Sequence, residues 1–169
     1  LHGDDVAFGP VISDSRALEP GALFVALRGE RFDAHQFVPE ALERGAAGAL
    51  VARPIPVPLP QVVVQDTLAA LTAFAGAWRH DFDGTVVGIT GSNGKTTVKE
   101  MTGAILGCAG PCLVTRGNLN NHIGVPLTLC RLEASHPFAV VEMGANHPRE
   151  LAHLTAIARP AVGLVINAG

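Results

Sequence analysis

The chain has 169 residues, of which 48% are hydrophobic and only 5% aromatic, and it contains 19 glycines and no tyrosine. This composition is typical of an α/β protein whose apolar strands are covered by Ala- and Leu-rich helices. A formal net charge of −3 argues against a nucleic-acid partner, which would require a basic surface. Three cysteines without a C-x-x-C pair predict a reducing, cytoplasmic setting. No apolar run approaches the ~18 residues of a membrane span, so we expect no membrane insertion.

A short polar stretch at residues 80–84 separates two differently patterned parts of the chain. We therefore expect an N-terminal domain at residues 1–82 and the first part of a second domain at residues 83–169. Three strands are predicted in the first part, at residues 21–27, 48–52 and 61–65.

Two helices are predicted between and after these strands. Pro39 suits the first turn of a short helix, and Gly45 suits its C-terminal stop. Asp66 is a candidate N-cap for a second helix. The apolar side chains of that helix recur at helical spacing, at Leu68, Leu71, Phe74 and Trp78.

The second part alternates strands and helices more regularly. Its predicted strands are residues 85–90, 112–115, 138–143 and 162–167. Helices are expected from Thr96 to about Leu106, from Pro126 onward, and through residues 151–158. Such alternation implies right-handed crossovers and a parallel sheet.

Three unusual loops follow strands of the second part, at residues 91–96, 116–124 and 143–148. In an open parallel sheet, ligands bind outside the carboxyl ends of the strands. All three loops are expected at that edge, which makes it the predicted functional site.

The first loop lies in the stretch TVVGITGSNGKTTVKEM. Its spacing departs from the phosphate-binding pattern G-x-x-x-x-G-K-[ST], because the position of the first glycine is Ile89. Backbone N–H groups around Gly91 and Gly94, the N-terminus of the next helix and Lys95 can nevertheless hold phosphates. A Gly-rich turn with a solvated lysine is the alternative. We predict a nucleoside triphosphate site at Gly91, Ser92, Asn93, Gly94, Lys95, Thr96 and Thr97.

An acidic residue, Glu142, ends the apolar run FAVVE and is expected beside this loop. A carboxylate there, together with the Thr96 hydroxyl, can hold Mg²⁺. The alternative is a surface acid at a strand end. The Asn-rich loop TRGNLNNHIGVP offers amides for ligand recognition, or forms only a structured turn. His122 and His147 are weak metal-ligand candidates on their own.

These segments together resemble a known family. GITGSNGKTTVKEM, TRGNLNNHIGVPLTL and VVEMGANHPREL are similar to the central-domain motifs of the Mur ligases, the ATP-dependent amide-forming enzymes of cell-wall precursor synthesis. The family's loop pattern is T-G-x-x-G-K-T, so Thr90–Gly91 stands in place of the first Walker glycine. The first part of the chain resembles the family's UDP-sugar-binding domain. GNLNNHIGVPLTL and EMGANHPREL resemble the MurF branch more than the sister branch that makes the tripeptide.

The resemblance implies a fold and an activity. The fold is a small N-terminal α/β UDP-sugar-binding domain followed by a P-loop parallel-sheet central domain, incomplete here, with the family's C-terminal domain absent from this chain. The activity is ATP- and Mg²⁺-dependent addition of D-Ala-D-Ala to UDP-MurNAc-tripeptide through an acyl phosphate. A cytoplasmic, monomeric parent enzyme of peptidoglycan synthesis is expected, with diaminopimelate and lysine both open as the third peptide residue.

The resemblance also implies roles for individual residues. Lys95 and Glu142 are expected to be catalytic, with Thr96 and Glu142 holding Mg²⁺. The substrate contacts implied in the second part are Asn118, Asn121 and His147. Those implied in the first part are Ser15 and Arg16 for UDP, and more weakly Asp33 and His35, for which a turn-forming role is the alternative. The sequence FDAHQF departs from the family's common Asp-Gly-His at Ala34.

Three other interpretations stay open from the sequence. A sister tripeptide synthetase would share the phosphate loop, and so would a P-loop kinase or a P-loop nucleotide-binding fragment without activity of its own. Residues 1–169 alone are expected not to ligate, because the family's metal-binding His, carbamylated Lys and C-terminal domain would follow them.

Overall fold

A computed structural model describes residues 5–29 and 32–167 of the chain. It divides into two compact units, Leu1–Leu71 and Thr72–Gly169. The division falls inside a continuous helix, Thr67–His80, whereas the expected boundary follows that helix. The domain boundaries therefore stay a prediction.

The first unit contains a four-stranded sheet in which all strands are parallel. Its elements are β1 (Val11–Ile12), β2 (Leu23–Val25), α1 (Val38–Glu43), β3 (Gly48–Val51) and β4 (Gln61–Val63), with 3₁₀ turns at Ser15–Ala17 and Ala34–Phe37. The strand order is β1-β2-β3-β4. Its core is built from small and β-branched side chains around Phe24, which is fully buried. The three predicted strands are confirmed, and the two-residue β1 was not foreseen.

The ends of the first two helices follow the predicted signals. Pro39 lies in the first turn of α1, and Gly45 beyond its end has a φ of 79°, a left-handed conformation that favours glycine. The Asp66 carboxylate accepts hydrogen bonds from the backbone N–H groups of Leu68 and Ala69, at 2.8 and 3.0 Å. Asp66 is thus the N-cap of α2 (Thr67–His80), as predicted.

The second unit contains a second all-parallel sheet, with the strand order β6-β7-β5-β8. Its elements are β5 (Thr85–Thr90), α3 (Lys95–Gly107), β6 (Cys112–Val114), α4 (Gly124–Leu129), β7 (Phe138–Glu142), α5 (Glu150–Ala158) and β8 (Val162–Val165). The predicted parallel sheet and its four strands are confirmed. α4 begins two residues before Pro126, where the side-chain oxygen of Asn121 accepts the N–H groups of Ile123 and Gly124.

The strand order decides which loops meet. β7 lies directly beside β5, with Ile89 opposite Glu142, so the loop after β5 and the end of β7 are neighbours. β8 pairs with the other side of β5, and its residues are exposed. Across residues 5–29 and 32–167, none of the helices is both long and apolar enough to span a membrane.

Candidate nucleotide and metal site

The loop between β5 and α3 has the backbone of a phosphate-binding turn. Gly94 is the N-cap of α3 with φ 79°, and Gly91 has φ 141°, conformations that side chains rarely adopt. A Cβ on Gly91 would also lie 3.1 and 3.2 Å from the backbone N and O of Asn167. Glycine is therefore required at position 91 by both its backbone angle and the close approach of the chain after β8.

The polar groups of this loop converge on one region. The N–H groups of Ser92 and Asn93 both point to the side-chain oxygen of Asn167, at 2.7 and 3.1 Å. The Lys95 ammonium donates to the carbonyl oxygens of Gly91 and Ser92, at 2.6 and 3.3 Å. Clustered N–H donors, an ammonium and a helix N-terminus form the donor set that phosphate oxygens accept from.

Replacing Gly91 by alanine is expected to destabilise the protein by about 1–3 kcal/mol, the usual cost of a strained backbone. Nucleotide affinity should fall as well, because the loop must move away from Asn167. Chemical denaturation and nucleotide titration measure the two effects. Gly76→Ala in α2 is the matched control, since nothing lies within 4 Å of its added Cβ. Equal stability of the two variants would contradict the packing argument.

Glu142 at the end of β7 is 1% exposed, so it is not the surface acid of the alternative interpretation. One carboxylate oxygen accepts from the Thr96 hydroxyl at 3.1 Å, and the other accepts from the Asn120 amide at 2.7 Å. Its own N–H donates to the Thr115 hydroxyl at 3.0 Å. The carboxylate and the Thr96 oxygen therefore lie together at the N-terminus of α3.

A cavity of about 620 Å³ opens at the carboxyl ends of β5, β6 and β7. All three loops singled out in the sequence contribute to its lining, among them Gly91, Ser92, Lys95, Asn120, Asn121 and His147. The predicted substrate residues Asn121 and His147 are thus brought to the phosphate loop, whereas Asn118 is outside this lining. The backbone N–H of His147 donates to the Glu150 carboxylate at 3.1 Å.

Two protein-family models match this chain. Residues 89–169 match the Mur ligase middle domain, and residues 11–79 match the catalytic domain of the Mur ligase family. The chain belongs to the Mur ligase family. The expected α/β architecture with parallel sheets agrees with solved structures of Mur ligases.

Several relatives of this Mur ligase chain have a named activity. It is 50% identical over 167 residues to UDP-N-acetylmuramoyl-tripeptide–D-alanyl-D-alanine ligase of Escherichia coli K12, covering 99% of this chain and 37% of that protein. The ligase of the same name from Bacillus subtilis is 43% identical, with 94% and 35% covered. The chain therefore spans a little over a third of the length of these relatives.

Solved structures of MurF ligases have the same fold. A structure of MurF from Acinetobacter baumannii has a TM-score of 0.89 and 45% identity, covering 96% of this chain and 36% of that one. MurF ligase from Thermotoga maritima in complex with ADP has a TM-score of 0.82 and 35% identity, covering 99% and 39%.

In the first unit of this Mur ligase chain, Arg16 is exposed and Ser15 is buried. The Arg16 side chain is 84% exposed and pairs with Asp14 at 2.8 Å. Hydrogen bonds from Arg16 lower the pKa of Asp14 below its ordinary value. Ser15 is buried, and its hydroxyl donates to Glu40 at 3.3 Å.

Asp33 and His35 are engaged with the protein itself. The His35 ring is buried; Nδ1 faces Asp33, and Nε2 accepts the Ala52 N–H at 2.7 Å. The N–H of His35, together with the ring and Arg53, holds the pKa of Asp33 well below its usual range. Both ring nitrogens are occupied, so the geometry favours the turn-forming role over substrate contact.

Three residues of the site were missed by sequence reasoning: Asn120, Asn167 and Lys99. The sequence pattern favoured Asn118 and Asn121 as site residues, although Asn120 is the asparagine that contacts Glu142. Asn167 follows β8, whose place beside β5 was not evident from local pattern. Lys99 follows Lys95 by one helical turn, and that spacing was the available signal.

Proposed function

We propose that this chain supplies the UDP-sugar-binding unit and the ATP site of a ligase that joins D-Ala-D-Ala to UDP-MurNAc-tripeptide. The observation that carries the proposal is the contact of Glu142 with Thr96 beside the phosphate loop. The chain that makes this contact is 50% identical to a ligase with this named activity. The sister tripeptide synthetase is not favoured, because relatives at 37–50% identity are named as D-alanyl-D-alanine ligases.

The residues present fit a Mg²⁺–nucleotide complex. Mg²⁺ prefers oxygen ligands, and it is commonly held by one or two protein groups together with phosphate oxygens and water. Thr96 and Glu142 offer such oxygens, 3.1 Å apart. Within the described residues no cluster of three or more His, Cys, Asp or Glu side chains could hold a metal by itself, which fits a metal that arrives with the nucleotide. Bound there, Mg²⁺ would neutralise phosphate charge.

The proposed reaction explains why this donor set is needed. A carboxylate is a poor electrophile, so it is activated by taking the γ-phosphoryl group of ATP, and the amine then displaces phosphate from the acyl phosphate. Negative charge accumulates in both steps, and fixed donors stabilise it. Lys95 and the loop N–H groups supply positive charge at the phosphates. Asn121 and His147 line the same cavity and would contact the substrate there.

The compartment and the assembly state belong to the same proposal. All three cysteines are unpaired, which is consistent with a reducing compartment. We expect a monomeric, cytoplasmic enzyme of peptidoglycan precursor synthesis.

The test uses the full-length protein that carries this sequence. It is incubated with ATP, Mg²⁺ and UDP-MurNAc-tripeptide, with either D-Ala-D-Ala or single amino acids, and products are identified by mass spectrometry. Pentapeptide formation only with the dipeptide is expected. A parallel incubation replaces the tripeptide substrate by UDP-MurNAc-dipeptide, and its extension by a single amino acid would instead identify the sister enzyme.

Arg16→Ala is expected to raise the KM for UDP-MurNAc-tripeptide about 10-fold or more while leaving the KM for ATP unchanged. The reason is that a hydrogen bond to a charged group contributes about 1.5–3 kcal/mol, and a guanidinium matches a diphosphate well. Steady-state kinetics with each substrate varied in turn measure this. Arg44→Ala, another exposed arginine paired with a carboxylate, is the control. A rise confined to the KM for ATP would show that the UDP-sugar site and the ATP site have been assigned to the wrong parts of the chain.

A further inference from the structure

Lys99 on α3 is a buried charge that the proposed chemistry does not use. Its side chain is 0% exposed, whereas lysine is almost never fully buried unless its charge is paired. The chain has twelve basic Lys and Arg residues, and all except Lys95 and Lys99 are arginine. Lysine, whose charge is a compact ammonium, therefore occurs at only two positions of the sequence, one turn apart on the helix that follows the phosphate loop.

The Lys99 ammonium meets three acceptors, one each on the Asn-rich loop, on α3 itself and at the end of β7. It donates to the carbonyl oxygen of Gly117 at 3.1 Å, it pairs with Glu100 at 2.9 Å, and it lies 3.8 Å from a carboxylate oxygen of Glu142. Gly117 and Glu100 lie within hydrogen-bond distance of the ammonium, whereas the Glu142 oxygen lies at ion-pair distance. Gly117 has a φ of 52° and belongs to the Asn-rich loop.

The contact with Glu142 is on the oxygen that faces the phosphate loop. That oxygen, Oε2, also accepts from the Thr96 hydroxyl, while Oε1 accepts from Asn120. Lys99 therefore acts on the side of the carboxylate that would meet a metal–nucleotide complex. Its carbonyl contact connects α3 to the Asn-rich loop that also carries Asn120.

We propose that Lys99 is a positioning residue for the metal–nucleotide site: it orients the Glu142 carboxylate and connects it to the Asn-rich loop. This inference rests on the proposed function, because it needs Glu142 to serve a Mg²⁺–nucleotide complex.

The competing explanation is a buried ion pair that serves only the stability of the fold. The two explanations differ in what Lys99→Met does to binding. Loss of stability alone lowers the number of binding-competent molecules and leaves the Kd of those that remain unchanged. Loss of positioning raises the Kd at full stoichiometry, and it does so only while Glu142 is there to be positioned.

A double-mutant cycle on the full-length protein separates these cases. Isothermal titration calorimetry with Mg·ADP is carried out on the wild type, Lys99→Met, Glu142→Gln and the double variant. Lys99→Met is expected to raise the Kd about 10-fold, the lower end for loss of a group that supports a metal ligand. In the Glu142→Gln background the same change should add no more than about twofold, because the two residues act as one unit.

Two further variants complete the cycle. Glu100→Gln removes the charge of the acceptor whose side chain is 64% exposed, and it is expected to leave the Kd unchanged. Lys99→Gln keeps a donor for the Gly117 carbonyl and replaces Lys99→Met in the cycle if the methionine variant does not fold. It should also raise the Kd, because the charge beside Glu142 is lost.

The outcomes are distinguishable. If the wild type does not bind Mg·ADP, the proposed function fails and the inference fails with it. If Glu142→Gln weakens binding but Lys99→Met does not, only the inference is overturned. Equal effects of Lys99→Met in both backgrounds, or an unchanged Kd with fewer sites, would likewise reject positioning.

Discussion

Lys95→Ala is expected to lower kcat by about 10²–10³-fold, the scale seen when one donor to a developing negative charge is removed. Among the residues that the structure describes, the Lys95 ammonium donates only to the carbonyl oxygens of its own loop, Gly91 and Ser92. A phosphate oxygen offers this ammonium a stronger, charge-assisted partner. Alanine at this position removes the ammonium and its two hydrogen bonds within the loop. The packing of the core is left unchanged.

Steady-state kinetics and nucleotide titration on the full-length protein measure this effect, with thermal unfolding as the check on the fold. Met101→Ala is the control, because Met101 belongs to the same helix and is 59% exposed. A kcat equal to that of the wild type would refute the assignment of the loop to phosphate binding.

Glu142→Ala is expected to weaken Mg²⁺-dependent nucleotide binding by about 10–100-fold, with partial recovery in excess Mg²⁺. Loss of a group at a metal site typically lowers metal affinity by this factor. Excess Mg²⁺ should restore part of the nucleotide binding, because the variant keeps its contacts with the phosphates. Alanine also leaves the Thr96 hydroxyl and the Asn120 amide without their acceptor, so stability should fall as well.

The isosteric variant Glu142→Gln separates the two effects, because it keeps the volume and loses the charge. Its affinity for ADP with and without Mg²⁺ is the decisive comparison, and Glu133→Gln, at an exposed position, is the control. If Mg²⁺ strengthens ADP binding as much in Glu142→Gln as in the wild type, Glu142 does not serve the metal.

Local sequence patterns were sufficient for most of the secondary structure. The N-cap Asp66, the stop at Gly45 and the apolar runs of the strands each act within a few residues, which makes them readable from sequence. The proline pattern predicts that α4 starts at Pro126, but the helix begins two residues earlier, where the Asn121 side-chain oxygen accepts the N–H groups of Ile123 and Gly124. The contacts of the Asn121 side chain, rather than the proline, therefore mark the start of this helix.

The phosphate loop and the alternation of strands with helices were determined by the sequence itself, because glycine conformations and apolar periodicity are local properties. Only the tertiary structure decided that β7 lies beside β5, so that Glu142 contacts Thr96, and that β8 brings Asn167 against Gly91. It also decided that His35 is buried and bonded at both nitrogens, and that Lys99 lies inside the site. Strand order and burial arise from packing between segments far apart in the chain. The local sequence around a residue therefore does not show which side chains lie beside it in the sheet.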